Sequence, residues 1–236
     1  MKLVLSRSVQ GLSALVTGAG GGMGEATACL LAKEGARVAL IDIKADEVER
    51  VAREIAEAGG EARAFVADLG DASAISKTVA DIAAWAGGID IVVNNAGISI
   101  RHMIDDPDYD AQFDRAIVVM LTAQQRIIRA ALPYLRKSSS PRIVNIASTE
   151  ALGATAGHSA YSAAKAGVMA LTRCSAIEAV EYGVRINAVS PSIARHKFLE
   201  KTSSSELLDR LPPGGGGPPP PPPRGGGGGG ARPPPP

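Results

Sequence analysis

At 236 residues, with 21% charged residues and a formal net charge of +1, the chain is long enough to bury one sizeable core. The near-balance of charge gives no electrostatic case for holding nucleic acid or an anionic membrane. No apolar run approaches a membrane span and the opening MKLVLSRS is too short for a signal-peptide core, so a cytoplasmic protein is expected. Cys29 and Cys174 both fall in apolar helical patterns and read as reduced, buried core residues, with no metal or disulfide role.

Strand and helix signals alternate along the chain. Leu12 to Thr17 is a short apolar run that ends in glycines, and Met23 to Glu34 has helical spacing. Arg37 to Ile43 reads as a second buried strand, followed by an amphipathic helix from Ala45 to Ala58. Ala62 to Ala67 and Ile89 to Asn94 read as strands, with a helix from Ala72 to Ala86 between them. A long helix from about Ala111 to Leu135 precedes a strand at Arg142 to Ala147. A helix from Ser159 to Tyr182 and a sixth strand at Val184 to Val189 complete the pattern, and Ser203 to Leu211 could start one more helix. Short β-branched runs alternating with helices predict an α/β fold with a doubly wound parallel sheet, covered on both faces. Ligands of such sheets sit beyond the carboxyl ends of the strands at the switch point.

The stretch VTGAGGGMG (Val16 to Gly24) lies where the first strand turns into the first helix. Gly18, Gly22 and Gly24 let the backbone turn sharply and approach a pyrophosphate, at which the helix beginning near Met23 points its positive end. Asp42 ends the second strand, where a carboxylate accepts from both adenosine ribose hydroxyls and repels a 2′-phosphate. Gly21 stands before Gly22 in place of a cation, so NAD is expected in preference to NADP. Asp68 either accepts from the adenine amine or caps the following helix. Asn94, Asn95, Ala96 and Gly97 end the fourth strand, where amides brace the sheet and a glycine allows close backbone approach.

Ser148, Tyr161 and Lys165 bring a hydroxyl, a phenol and an ammonium to one place. Such a set polarises a carbonyl and passes it a proton, so with a nucleotide cradle it reads as hydride transfer between a nicotinamide and a carbonyl or alcohol. Lys165, one helical turn after Tyr161, is expected to lower the phenol from its ordinary value near 10.

TGAGGGMG, Asp42, Asp68, NNAG, Ser148, YSAAK and NAVSP (Asn187 to Pro191) occur in an order and spacing that resembles the short-chain dehydrogenase/reductases, over about residues 10 to 211. The closest likeness is to reductases of 3-oxoacyl thioesters and of sugar or steroid alcohols. The resemblance implies a Rossmann-type three-layer fold with Tyr161 as general acid and base, Ser148 as partner of the substrate oxygen, and Lys165 as holder of the nicotinamide ribose. It also implies a cofactor-binding set of Gly18, Gly22, Met23, Gly24, Asp42, Ile43, Asp68, Leu69, Asn95, Ala96, Gly97, Tyr161, Lys165, Pro191 and Ala194. A small alcohol or ketone, or an acyl thioester, is the implied substrate, and the intact parent would be a homodimer or homotetramer.

The chain departs from the family pattern in places. Met120 stands where the family usually has an Asn that helps a backbone carbonyl hold a relay water, so weakened or retuned catalysis is expected. After Pro191, Ser192 replaces the usual Gly and His196 stands near the usual Thr; Arg195 and Lys197 flank it. From Pro212 to Pro236 every residue is Pro or Gly except Arg224, Ala231 and Arg232, which predicts a tail that builds no core. One domain over residues 1–211, lacking the family's last strand, with a disordered tail at 212–236, is therefore expected. The alternative to an enzyme is a nucleotide-binding protein of this fold with weak or absent turnover.

Overall fold

A computed structural model of the chain describes residues 8–192, and the layers follow from the alternation of its elements. β1 (Ser13–Thr17), β2 (Arg37–Asp42), β3 (Glu61–Val66), β4 (Ile91–Asn94), β5 (Arg142–Ile146) and β6 (Arg185–Val189) form one sheet in the order β3-β2-β1-β4-β5-β6. Every neighbouring pair is parallel. The Rossmann-type α/β arrangement expected from the sequence is thus present in six strands. The chain order reverses between β1 and β4, and this opens a crevice at their carboxyl ends.

Successive side chains of a strand point to opposite faces, so each central strand feeds two cores. Leu15, Ile41, Val92 and Ile143 pack on one face with Ile75, Val79 and Ile82 of α3 (Ala72–Ala86) and Ile127 and Leu135 of α5 (Ala123–Leu135). Val16, Val38, Leu40 and Val93 pack on the other with Ala28 and Ala32 of α1 (Gly22–Lys33) and Val48, Val51 and Ile55 of α2 (Ala45–Glu57). A smaller cluster of Ile100, Ala116, Met120, Ala160 and Ala164 joins α4 (Tyr109–Ile117) to α6 (Ser159–Ala179), beside the crevice.

Three expectations are corrected and one open alternative is closed. The single long helix is interrupted: between α4 and α5 the residues Val118–Thr122 take a π-helical turn, because an extra residue is accommodated there. The α-helical part of the segment beginning at Ser159 ends at Ala179, and Val180–Tyr182 form a 3₁₀ turn closed by Gly183 in the left-handed region. Asp71, not Asp68, caps α3, its carboxylate accepting from the Ser73 amide. Both cysteines are free, but Cys29 is only half-buried and Cys174 is exposed on α6, since it lies off the stripe formed by Ala164, Val168 and Thr172. The helix expected at Ser203 to Leu211, the expected lack of a closing strand and the tail all concern residues outside the described ones.

Candidate active site

The glycine turn is shaped by contacts that no side chain would tolerate. Gly18 and Gly22 have φ of +64° and +57°, the left-handed region that favours glycine. A Cβ on Gly24 would stand 2.1 Å from the Gly18 carbonyl oxygen, and one on Gly18 would stand 2.8 Å from the Ala96 Cα. The strand, the helix and the end of β4 therefore meet through bare backbone. Over Gly21 and Gly22, by contrast, a Cβ would meet nothing within 4 Å, so the outer side of the turn is open to a ligand. Met23 is 40% exposed at this opening.

Asp42 closes the turn from the end of β2. Its Oδ2 accepts from the Gly20 amide at 2.9 Å and its Oδ1 from the Lys44 amide at 3.1 Å. Each carboxylate oxygen keeps further acceptor capacity for a diol. Ile43 beside it is exposed, Leu69 is buried, and the exposed Asp68 accepts from the Gly70 amide at 2.8 Å. Arg50 of α2 is an anchor that sequence reasoning missed. Its guanidinium donates to the Gly20 carbonyl at 3.2 Å and pairs with Glu25, Glu47 and Glu54, contacts that hold its proton still more firmly. Only folding brings α2 beside the turn, so no local signal marked it.

At the end of β4, the Asn95 side chain donates to the Thr17 carbonyl at 2.9 Å. The Asn95 and Ala96 amides both donate to Thr17 Oγ1, at 2.9 and 3.0 Å. Thr17 is thus the hidden brace of the motif. Deeper in, Asn94 Nδ2 donates to Asn145 Oδ1 at 2.8 Å, and Asn145 Nδ2 to Thr172 Oγ1 at 2.9 Å. This buried polar chain ties β4, β5 and α6 together, and the last two members were not anticipated. Gly97 lies beside Met120, whose sulfur would stand 3.8 Å from a Cβ built there.

Ser148 lies just past β5 and is buried; its Oγ accepts from the Glu150 amide at 3.2 Å. The turn it opens is held by the Thr149 amide, which donates to the Pro191 carbonyl at 3.0 Å. Tyr161 and Lys165 are one turn apart on α6. Lys165 is 3% exposed, and its Nζ donates to the Ile146 carbonyl at 2.7 Å and lies 5.7 Å from the centre of the Tyr161 ring. Burial lowers the ammonium to about 8. The phenol moves opposite to expectation: burial pushes it up, a hydrogen bond with Ser148 pulls it down, and the Glu150 charge pushes it up again. Desolvation of the ring is the largest cause, and the help expected from Lys165 is not among the effects on the phenol. Ser148, Tyr161 and Lys165 are nonetheless brought together at the crevice, with the glycine turn, Asp42 and the end of β4 along it. Ala194, His196, Arg195 and Lys197 lie outside the described residues. A cavity of about 780 Å³ near Gly11, Arg37, Glu61 and Asp90 lies at the other end of the strands and is not part of this site.

Residues 13–207 match a family described as short chain dehydrogenase. A hydroxy-methyl-oxo-hexahydroindene-carboxyl-CoA reductase of Mycobacterium tuberculosis is 47% identical over 206 residues, which cover 86% of this chain and 78% of that protein. The crystal structure of a short chain dehydrogenase from Mycobacterium smegmatis superposes with a TM-score of 0.74 at 43% identity, over 79% of this chain and 78% of that one. A 7α-hydroxysteroid dehydrogenase complexed with NADH and an oxo bile acid gives a TM-score of 0.81 at 29% identity, over 85% and 78%.

Proposed function

The chain belongs to the short-chain dehydrogenase family, and from that membership we propose that it is an oxidoreductase moving a hydride between NAD(H) and a hydroxyl/ketone pair, with Tyr161 as its acid and base. The observation that carries the reading is the convergence of Ser148, Tyr161 and Lys165 at the mouth of a crevice whose other wall is a glycine turn. The turn fits a dinucleotide: its backbone is bare, its outer side is open, and a carboxylate ends β2 beside it. Gly18, Gly22, Met23 and Gly24 would hold the pyrophosphate. Asp42 and Ile43 would hold the adenosine ribose, Asp68 and Leu69 the adenine, and Asn95, Ala96 and Gly97 the far side of the nucleoside. Pro191 and Ala194 would line the nicotinamide, and Lys165 would hold its ribose. Asp42 has no cation in the turn to offset it, which favours NAD over NADP.

A nicotinamide held there would supply or accept the hydride. In reduction, Ser148 Oγ–H donates to the carbonyl oxygen as negative charge develops on it. Tyr161 Oη–H gives that oxygen its proton, and in oxidation the phenolate takes the proton back. The phenol is protonated at neutral pH, as the acid role requires; burial raises it further and so weakens it as an acid, and a cationic Lys165 would offset the phenolate left behind. Met120 offers no amide at its position, so proton return to Lys165 would rest on backbone carbonyls of the π-helical turn. The proposed catalytic unit is residues 1–211, distinct in composition from the Pro/Gly segment 212–236. The substrate is a small alcohol or ketone, with an acyl thioester suggested by the CoA ester named for the Mycobacterium tuberculosis relative. Assembly as a homodimer or homotetramer in the cytoplasm completes the proposal.

Tyr161→Phe tests it. Turnover of a reducible ketone should fall at least about a thousandfold, because general acid catalysis is removed. Fluorescence titration should show NADH binding retained within about threefold. Equal turnover in variant and parent would sink the assignment, and binding without turnover in the parent would favour the nucleotide-binding alternative.

A further inference from the structure

Two residues beyond Ser148, the side chain of Glu150 is built into the wall between the serine turn and the start of α6. Its amide donates to Ser148 Oγ at 3.2 Å and its Oε1 accepts from Thr155 Oγ1 at 3.0 Å. Oε2 is buried without a hydrogen-bond partner. It faces Nδ1 of His158, which is also buried and unpartnered, at 3.9 Å, too far for a hydrogen bond. The imidazole in turn lies 6.2 Å from the Tyr161 ring, centre to centre. A carboxylate thus stands among Ser148, Thr155, His158 and Tyr161, and Ser148 and Tyr161 are the two groups proposed above to meet the reacting carbonyl.

Its charge is poorly offset. Among the described residues no lysine or arginine pairs with Glu150. Lys165 is committed to the Ile146 carbonyl, and the exposed Arg101 lies against Gly157. The side chain is 27% exposed, but Oε2 is shielded from water and no lysine or arginine pairs with the carboxylate, so it projects a field that a nearby anion feels. The upward push of Glu150 on the Tyr161 phenol is the same field acting on a group already in place.

We propose that Glu150 is a specificity residue: resting on the dehydrogenase reading above, its carboxylate restricts the enzyme to carbonyl compounds with no carboxylate on the carbon beside the reacting carbonyl. A ketone, ester or thioester satisfies this requirement, and a free 3-oxo acid does not. The selection is made by repulsion of the wrong substrate rather than by attraction of the right one.

Matched 3-oxo acids and their methyl esters, one linear and one cyclic, test this with NADH as reductant. The parent enzyme should favour each ester over its acid in kcat/KM by about tenfold or more. Glu150→Gln keeps the shape and the Thr155 contact while removing the charge. It should shrink the ratio to within about threefold by raising kcat/KM for the acid. A parent ratio near one, or a ratio unchanged in E150Q because both substrates fall together, would overturn the proposal and leave Glu150 as a structural brace. No reduction of any ester by a parent enzyme that still binds NADH would overturn the dehydrogenase reading itself, and the proposal with it.

Discussion

Lys165 carries an ammonium into the least hydrated part of the crevice, and its burial has a cost that pH reveals. Its pKa falls from 10.5 to about 8 because the charged form is desolvated. Between those two values the unfolded chain binds more protons than the folded one, so stability rises with pH through that window. Below about pH 8 the full penalty is present. Lys165→Met removes the titration, and denaturant unfolding at pH 7.5 and pH 10.5 should show parent stability gaining on the variant by about 3 kcal/mol. A pH-independent difference would mean that the ammonium is solvated. At this scale the sequence was legible for chemistry but not for environment. Ser148, Tyr161 and Lys165 could be picked out by residue type and spacing, whereas the direction of the Tyr161 shift depends on how much water folding removes from the ring.

The π-helical turn between α4 and α5 shows what an element owes to its neighbours. Periodicity alone reads the stretch as one helix, because a single inserted residue hardly disturbs an apolar pattern. In the fold, Met120 at the centre of the turn is fully buried among Ile100, Ala116, Ala160 and Ala164, wedging the segment against α6. Met120→Ala leaves a void at this junction and should lower stability by about 2–5 kcal/mol in a urea melt. A loss below about 1 kcal/mol would show that the turn collapses onto the smaller side chain. The caps follow the same logic. Asp68 and Asp71 are both eligible by type, and only the path of the chain into α3 makes Asp71 the residue that meets the Ser73 amide.

Across the whole molecule, the cofactor crevice draws on the ends of β1, β2, β4 and β5, so a ligand there should stabilise the fold as a unit. NADH at about a hundredfold above its Kd adds about 2.7 kcal/mol, which for a chain of this size raises Tm by about 5–10 °C in calorimetry. NADPH at the same concentration should give the smaller shift, because Asp42 meets its 2′-phosphate. A larger shift with NADPH would reverse the cofactor assignment. The sequence by itself determined the layer architecture and the family. Buried parallel strands must be continuous apolar runs, and the glycine turn and YSAAK carry meaning in their spacing. Tertiary structure alone decided which residues support that framework. Thr17, Arg50, Asn145 and Thr172 act across gaps in the chain that no local pattern spans. Glu150 likewise acts through one oxygen that folding shields near Tyr161, and such shielding is a property of the folded surface rather than of any residue.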